Sequence, residues 1–343
     1  MKIRRSVLCS VGAVGAAMLA ATTLTMIGTT TSATAATPPK LPKKQSGMAW
    51  ASGAYMPDYV PSAQVDFGEQ RGAASDVALT YAGRANWTEI SNPEWLMQTW
   101  KGAPQTLVIS TAPFPETGGW TLAACARGKY NKYWQTFGRN AAATGSADRT
   151  IVRLAWEFNG TWVAWAAYNP VHFVKCWRHV FNSAESQAPG LRWDWSVNRG
   201  IGDALSDATK AWPGRKYVDY VGIDSYDGYP AVTTKAGWEK QLNGNQGLRY
   251  WARFAKAKGK RLTVPEWGLY PGYAWKGNGG GDNANYMRKM FGFFRENRAN
   301  LAYEAYFNST DPAHAGALSL NPKARAEYRR QVRSAIRLAR STR

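Results

Sequence analysis

The sequence contains few of the residues that bind transition metals or act as catalytic thiols. Only three histidines and three cysteines occur among its 343 residues. Neither a His-Glu-x-x-His nor a Cys-x-x-Cys spacing occurs, and the Gly-x-Ser-x-Gly motif of many serine hydrolases is also missing. The glycine run Gly279–Gly281 lacks the strand-to-helix context and the lysine of a phosphate loop, so it predicts only a flexible loop. We therefore predict that the protein uses neither a metal ion nor a cofactor.

Acidic residues are scarce as well. Aspartate and glutamate total 23 against 43 lysines and arginines, which gives a formal net charge of +20. Such an excess attracts polyanions. The arginines are spread along the chain and are densest in a predicted last helix, Lys323–Arg343, so nucleic acid is not the expected partner. A solvated outer helix is the simplest explanation of this charge, and a weak attachment to anionic cell-wall polymers is a minor hypothesis.

After the first 35 residues the sequence has no apolar run that is long enough to cross a membrane. Residues 1–35 combine a basic start at Lys2 and Arg4, an apolar stretch over Val7–Ile27 and small residues near the end. That pattern predicts a secretory signal peptide, and an uncleaved membrane anchor is the alternative. The Pro- and Lys-rich residues 36–47 predict a flexible leader. We expect a secreted, extracellular protein with no membrane segment after cleavage.

Two cysteines, Cys125 and Cys176, follow the predicted signal peptide. Two cysteines in an exported chain most simply form one disulfide. Such a bridge would close a loop of about 50 residues, which the chain-entropy model values at roughly 4 kcal/mol. Two buried free thiols are the alternative.

The remaining chain, residues 48–343, alternates short apolar runs with longer helical patterns. Strands that alternate with helices indicate right-handed βαβ units and a parallel sheet. Eight such units favour a closed (β/α)8 or TIM barrel over an open sheet, so we predict an α/β fold with one barrel domain in a monomer. The predicted strands are Met48–Tyr55, Val77–Tyr81, Thr106–Thr111, Thr150–Trp156, Leu191–Val197, Val218–Ile223, Arg261–Pro265 and Leu301–Phe307; the clearest predicted helices are Asn131–Thr144, His172–Ser186, Leu248–Lys258 and Asn285–Asn297.

Polar residues follow two of these strands at the end where barrel enzymes carry their catalytic groups. The fourth predicted strand leads into Glu157, and the seventh leads into Glu266. Carboxylates at these two ends can face each other across the mouth of the barrel. Glycoside hydrolysis requires such a pair, in which one carboxyl protonates the leaving oxygen and the other attacks the sugar. Two structural carboxylates that hold loops are the alternative interpretation.

Aromatic residues cluster around the same strand ends. Sugar rings have apolar faces that stack on aromatic planes, so carbohydrate clefts are often lined in this way. We predict substrate contacts for Trp162, Trp165 and Trp267, although a chain with 17 tryptophans will also place several of them in its core. The cluster consists of Trp156, Trp162, Trp165, Tyr226, Trp267, Tyr270 and Trp275.

The motifs at these strand ends resemble those of glycoside hydrolase family 26, the β-mannanases and their relatives. Trp156-Glu157-Phe158-Asn159-Gly160-Thr161-Trp162 resembles the acid/base motif of that family. Pro265-Glu266-Trp267-Gly268 is similar to the nucleophile motif, and Tyr220-Val221-Gly222-Ile223-Asp224-Ser225-Tyr226 is similar to the motif of strand six.

The resemblance implies a retaining mechanism with Glu157 as the acid/base and Glu266 as the nucleophile. It also implies that Asp224 and Tyr226 stand beside the nucleophile. With Asn159 of the acid/base motif and the tryptophans Trp156, Trp162, Trp165 and Trp267, they make up the predicted substrate-binding set.

The chain departs from the family pattern at two places. Members usually carry a histidine, which helps to bind the sugar, at the position of Trp156, and they carry an aromatic wall at strand eight, where this chain has Tyr306 and Phe307 but no tryptophan. The leading hypothesis is an endo-acting retaining β-glycosidase of a polysaccharide or oligosaccharide. Mannan, mixed-linkage glucan, β-1,3-xylan and a microbial envelope glycan all stay open as substrates. A non-catalytic glycan-binding barrel is the alternative of another class, but such descendants are expected to lose a catalytic carboxylate, and this chain keeps both.

Overall fold

The computed structural model describes residues 42–273 and 277–341, so the predicted signal peptide and Trp275 lie outside the described residues. Eight parallel strands form a closed barrel in which each strand pairs with its sequence neighbour and the eighth closes against the first. The predicted (β/α)8 fold is therefore confirmed. The strands are β1 Ala51–Tyr55, β2 Val77–Tyr81, β3 Thr106–Thr111, β4 Thr150–Leu154, β5 Arg192–Asn198, β6 Tyr220–Tyr226, β7 Arg261–Gly268 and β8 Leu301–Phe307.

Helices connect the strands on the outside of the barrel, and several begin at a side chain that caps the free backbone N–H groups. The side chain of Asn169 accepts a hydrogen bond from His172 N. The next residue, Pro170, begins the helix, because its fixed φ suits the first helical position. The α-helices are α1 Pro61–Arg71, α2 Trp87–Ser91, α3 Glu94–Thr99, α4 Leu122–Cys125, α5 Asn131–Ala143, α6 Pro170–Glu185, α7 Lys235–Asn243, α8 Leu248–Ala257, α9 Ala284–Glu296 and α10 Pro322–Ser341; short 3-10 helices span Ala147–Arg149, Ala208–Ala211 and Arg215–Tyr217.

The barrel has two apolar regions and a polar one. A large aromatic-rich core lies between the strands and the helices. A smaller apolar cluster, which includes Val77, Val108 and Ile151, fills the interior near the N-terminal ends of the strands. Above it, toward the C-terminal ends, the interior residues are buried but polar, among them Arg153 and Asp194. Buried charges need partners, so this upper layer is where the chemistry is expected.

Three strands end two or three residues away from their predicted last residues. The fourth strand ends at Leu154 rather than Trp156, because Ala155 and Glu157 have φ values of 47° and 52°, outside the extended region. Strands β6 and β7 run on to Tyr226 and Gly268. The polar residues of both motifs therefore lie within paired strands and not in loops beyond them.

The end of the predicted leader contacts the barrel. The backbone N–H of Ser46 donates to Asp76 Oδ1 at 2.8 Å, and the Ser46 hydroxyl donates to Oδ2 of the same carboxylate at 2.5 Å. Asp76 also accepts from Ser52 N at 2.9 Å at the start of the barrel. Ser46, near the end of the predicted leader, is thus held by a buried carboxylate.

Cys125 in α4 and Cys176 in α6 form a disulfide with a Cα–Cα distance of 4.8 Å. The bridge ties the segment after β3 to the helix that follows β4, as predicted. Within the residues that the structure describes, no helix is both long and apolar enough to span a membrane.

Candidate active site

The C-terminal mouth of the barrel brings three carboxylates together. One carboxylate oxygen from each of Glu157, Asp224 and Glu266 lies within 4.8 Å of the others, and all three residues are buried. Glu157 follows β4, Asp224 lies in β6 and Glu266 lies in β7. The two glutamates that the sequence motifs single out therefore face one site.

Glu157 is held in a strained backbone conformation. Its φ of 52° and that of Ala155 at 47° lie in the left-handed region, which costs a residue with a side chain roughly 1–3 kcal/mol. The segment is secured on both sides, because Glu157 N donates to the Ser196 carbonyl at 3.1 Å and Gly160 N donates to the Glu157 carbonyl at 2.9 Å. The strain turns the carboxylate toward the mouth.

Asn159 and Trp165, predicted to bind substrate, serve this loop instead. The Asn159 amide donates to the Asn198 carbonyl and accepts from Asn198 N, both at 2.9 Å, and the residue is 1% exposed. The Trp165 indole is fully buried and donates to the Trp156 carbonyl at 2.8 Å. With their polar atoms used and their surfaces covered, neither side chain presents a face to a sugar.

The environment of Glu157 favours its protonated form. Burial, and secondarily the charge of nearby Glu266, raise its pKa to about 7. Two groups oppose this shift: the Trp162 indole, which donates to Glu157 Oε2 at 2.7 Å, and the Arg153 cation. Because Glu157 carries its proton near neutral pH, it can deliver that proton to a leaving oxygen.

The Glu266 carboxylate is surrounded by hydrogen-bond donors. Its carboxylate accepts hydrogen bonds from the hydroxyls of Tyr81 and Tyr226 and from the Arg153 guanidinium. The Tyr226 bond measures 2.8 Å, as expected from the predicted place of this tyrosine beside the nucleophile. Burial raises the pKa of both tyrosine hydroxyls well above the ordinary value, so both stay protonated donors. Three donors on one carboxylate stabilise its charge and fix its direction.

Arg153 connects the carboxylates and was not predicted from the sequence. It lies in β4, is fully buried, and forms ion pairs with Glu266 and Asp224. The hydroxyls of Ser110 and Ser196 accept further hydrogen bonds from it at 3.0 and 3.2 Å. The sequence did contain a signal for Arg153, because it is a cation within the apolar run of β4. A buried charge is costly unless it is paired, so such a residue is expected to have an acidic partner.

Asp224 is fully buried, and its side chain meets Arg153 rather than the open mouth. It therefore belongs beside the nucleophile, as the resemblance implied, but as a partner of the arginine and not as a substrate-binding residue. The spacing of the three carboxylates would also suit a metal ion. Arg153 already supplies the positive charge to two of them, so this donor set does not favour a divalent cation.

Two tryptophans with different exposure lie on the side of the site that carries Glu157. Trp162 is 53% exposed and its indole lies so close to Gly160 that a Cβ there would be 2.3 Å from the ring. Trp156 is 7% exposed, with its ring edge on Tyr81 at 5.3 Å between centroids. Trp162 is therefore placed to meet a ligand, and Trp156 borders the nucleophile's tyrosine.

Trp267, the third predicted contact, lies on the other face of its strand. It is fully buried, stacks on Tyr328 of α10 at 5.7 Å and donates to Glu304 from its indole nitrogen. Successive side chains of a strand point to opposite faces, so the residue after inward-facing Glu266 must point outward. The prediction for Trp267 is therefore corrected to a core position.

The opposite wall was missed by the sequence analysis apart from Tyr226, Tyr270 and Phe307. Tyr55 of β1 stacks on Phe307 of β8 at 4.3 Å between ring centroids. Tyr226 stacks on Tyr270 at 4.6 Å, and Tyr270 stacks on His314 at 5.6 Å. Tyr55 and Phe307 come from the first and the last strand, which only barrel closure brings together.

The loops after β6 and β7 are joined beside this wall. Val232 N donates to Asp227 Oδ1 and the Asn283 amide donates to Oδ2, both at 2.7 Å. Gly280 N donates to the Asp227 carbonyl at 3.0 Å, and a Cβ at Gly280 would lie 1.8 Å from Asp227 Oδ2. The glycine run predicted to be a flexible loop is thus packed against a buried carboxylate, and glycine is required there for the close approach.

Two neighbouring carboxyl groups, one with a raised pKa and the other held by three hydrogen-bond donors, lie at the mouth of a TIM barrel beside an exposed tryptophan. This arrangement is that of a glycoside hydrolase. Residues 149–288, which include both glutamates, match the family model described as Glycosyl hydrolase family 26. This match agrees with the resemblance of the motifs to that family of retaining glycoside hydrolases. No protein with a curated description matches it significantly.

Solved structures of similar fold include several mannanases. The catalytic domain of a Bacillus sp. JAMB-750 endo-β-1,4-mannanase has a TM-score of 0.62 at 17% identity, covering 85% of this chain and 87% of that one. A Cellulomonas fimi endo-β-1,4-mannanase has a TM-score of 0.59 at 16% identity, covering 82% and 71%. A Bacteroides ovatus β-mannanase has a TM-score of 0.57 at 14% identity, covering 79% and 82%. At such identities these likenesses show the fold alone.

Proposed function

We propose that this protein is a secreted, endo-acting retaining glycosidase that cleaves a β-linked polysaccharide of the mannan type. The observation that carries the proposal is the pair Glu157 and Glu266, close together but in opposed environments. Burial and a like charge favour the protonated form of Glu157, whereas three donors stabilise the anion of Glu266. This is the division of labour that a retaining glycosidase requires.

In the proposed mechanism Glu157 donates its proton to the glycosidic oxygen while Glu266 attacks the anomeric carbon. The C–O bond to the leaving sugar breaks, and a covalent glycosyl-enzyme forms. Glu157, now a carboxylate, removes a proton from water, which attacks the same carbon and releases Glu266. The Tyr81 and Tyr226 hydroxyls and Arg153 hold Glu266 in line throughout.

The substrate assignment is supported by similarity of fold. Three solved structures with this fold are β-mannanases. Endo action is supported by exposed aromatic residues on loops at the same end of the barrel, Trp162, Tyr229 and Tyr273, which could contact a chain on either side of the cleaved bond. Trp156, at the position of the family's usual sugar-binding histidine, is the residue that would shift the preference to another β-glycan.

The proposal is tested by incubating the purified protein with β-mannan, mixed-linkage glucan, β-1,3-xylan and bacterial envelope glycan and measuring new reducing ends. We expect mannan to be cleaved to mixed oligosaccharides, with the first product keeping the β configuration in its NMR spectrum. Glu266→Ala should abolish activity on every glycan. Release of monosaccharide alone would contradict endo action, and cleavage of another glycan in preference to mannan would contradict the substrate assignment.

Secretion is supported by the basic, apolar and small-residue pattern of residues 1–35. The measurement is N-terminal sequencing of the protein recovered outside producing cells. We expect cleavage near Ala35. A full-length chain that stays with the membrane fraction would support the anchor instead.

A further inference from the structure

The last helix, α10, presents a one-sided row of cations that the proposed reaction does not use. Its sequence, PKARAEYRRQVRSAIRLARS, has seven basic residues and one acidic residue. The side chains buried against the barrel include Tyr328, Val332 and Ala335. At 100° per residue, the exposed cations fall within an arc of roughly 120° on the other side. These exposed cations, which we call the basic face, are Lys323, Arg329, Arg330, Arg333, Arg337 and Arg340.

Three members of the basic face lack acidic partners. Among residues 42–273 and 277–341, no carboxylate lies within ion-pair distance of Arg333, Arg337 or Arg340. The one acid of the helix, Glu327, pairs with Arg330 at 2.6 Å and with Arg288 of α9 at 3.4 Å. The C-terminal half of the helix therefore keeps its positive charge uncompensated.

The neighbouring helix adds to the charge instead of cancelling it. Arg295 of α9 donates to Gln331 of α10 at 2.7 Å. Partial burial and the adjacent Arg330 lower the pKa of Arg295, so cations of the two helices lie close enough to repel. Such repulsion opposes folding and is relieved when a polyanion covers the surface.

The geometry of the row fits an extended polymer with regularly spaced negative groups. Arg329, Arg333, Arg337 and Arg340 follow one line along the helix over roughly 16 Å, at 1.5 Å per residue. Guanidinium groups bind phosphate oxygens in a two-pronged manner. The basic face carries no exposed aromatic ring on which a nucleic-acid base could stack, which disfavours nucleic acid as the partner.

We infer that the basic face of α10 binds an anionic cell-wall polymer with a phosphodiester in its repeating unit and thereby holds the enzyme at the cell envelope. The choice of an envelope polymer rests on the proposed secretion. The binding is independent of the proposed hydrolase activity, because the basic face lies outside the active site. Failure of one can therefore be distinguished from failure of the other.

The test measures binding of the purified protein to poly(glycerol phosphate) teichoic acid at 50 and 200 mM salt. The triple variant Arg333→Glu, Arg337→Glu, Arg340→Glu should bind at least tenfold more weakly than the parent, by order of magnitude. The control variant Lys132→Glu, Arg253→Glu, Lys256→Glu has the same net charge and changes exposed cations on α5 and α8. It should lose less than about threefold, and both variants should keep the parent's hydrolytic rate on a soluble substrate.

Three results would overturn the inference. Equal losses in the two variants would show that net charge alone is responsible. Equal or tighter binding of duplex DNA or of a polyuronate would contradict a phosphodiester wall polymer as the partner. Absence of binding by the parent protein at 50 mM salt would contradict the existence of the proposed site.

Discussion

Replacing Trp162 by phenylalanine would remove one hydrogen bond from the proposed acid/base while keeping an aromatic ring. The indole nitrogen donates to Glu157 Oε2 at 2.7 Å, and this bond lowers the pKa of Glu157 against the stronger effect of burial. A donor stabilises the charged carboxylate, so its removal favours the protonated form. Trp162→Phe should therefore raise the pKa of Glu157 above its value of about 7.

The size of the shift follows from the exposure of the donor. A hydrogen bond to a charged group contributes about 1.5–3 kcal/mol when water is excluded. Trp162 is 53% exposed, so water can replace part of the lost donor. Taking roughly one third to one half of the full value leaves about 0.5–1.5 kcal/mol, or about 0.4–1.1 pH units at 1.36 kcal/mol per unit.

The assay is the pH dependence of kcat/KM at constant ionic strength, on a substrate whose leaving group needs a proton. Activity falls as Glu157 loses its proton, so the basic limb should move to higher pH in Trp162→Phe. Trp95→Phe is the matched control, because Trp95 is 50% exposed but lies in α3, outside the carboxylate site. An unmoved limb in Trp162→Phe, or one that moves to lower pH, would refute the proposed role of the indole.

Three other changes test the site and its support. Tyr226→Phe should lower kcat by roughly ten- to a thousand-fold, because it removes one positioned donor from the nucleophile. Glu157→Ala should be nearly inactive on polysaccharide, yet it should still react with an aryl glycoside whose leaving group needs no proton, and azide should speed release of the covalent intermediate. Gly280→Ala should lower the melting temperature by roughly 3–8 °C and reduce activity, since its Cβ would lie 1.8 Å from a buried carboxylate oxygen, whereas Gly272→Ala meets nothing within 4 Å.

Each of these changes has its own readout. Turnover of Tyr226→Phe is measured on an activated aryl glycoside at saturation, and an unchanged kcat would remove the tyrosine from the mechanism. For Glu157→Ala, the product formed with azide is identified by mass spectrometry and NMR; an azide adduct of inverted configuration would contradict retention. Thermal unfolding compares the two glycine variants, and equal melting temperatures would contradict the close packing at Gly280.

The barrel and its strands could be predicted because each strand is an apolar run set between helical patterns. Val77–Tyr81, Thr106–Thr111 and Leu301–Phe307 have the predicted bounds. The end of β4 could not be read in the same way. Ala155 and Glu157 have no local preference for positive φ, and the surrounding hydrogen bonds impose it.

The site could be predicted as far as its two glutamates and Tyr226, because motifs mark them. Side chains alternate between the two faces of β7, so the sequence also indicated that Trp267 points away from Glu266. The prediction of a sugar contact gave more weight to the tendency of tryptophan to stack on sugars. Tyr81 was hidden for another reason. It is 185 residues before Glu266, and only the closed barrel brings its hydroxyl to that carboxylate.

A single cation decides which glutamate has which task. Arg153 contacts Asp224 and Glu266 directly, while Glu157 receives only its more distant field and one indole N–H. Arg153 and the hydroxyls of Tyr81 and Tyr226 all donate to Glu266, so the negative charge of the pair is most stable on that carboxylate. The same charge then raises the pKa of Glu157 and keeps its proton in place. Arg153, four residues before Glu157, reaches across the barrel interior. Its side chain, more than the strands that carry the two glutamates, thus distinguishes the acid from the nucleophile.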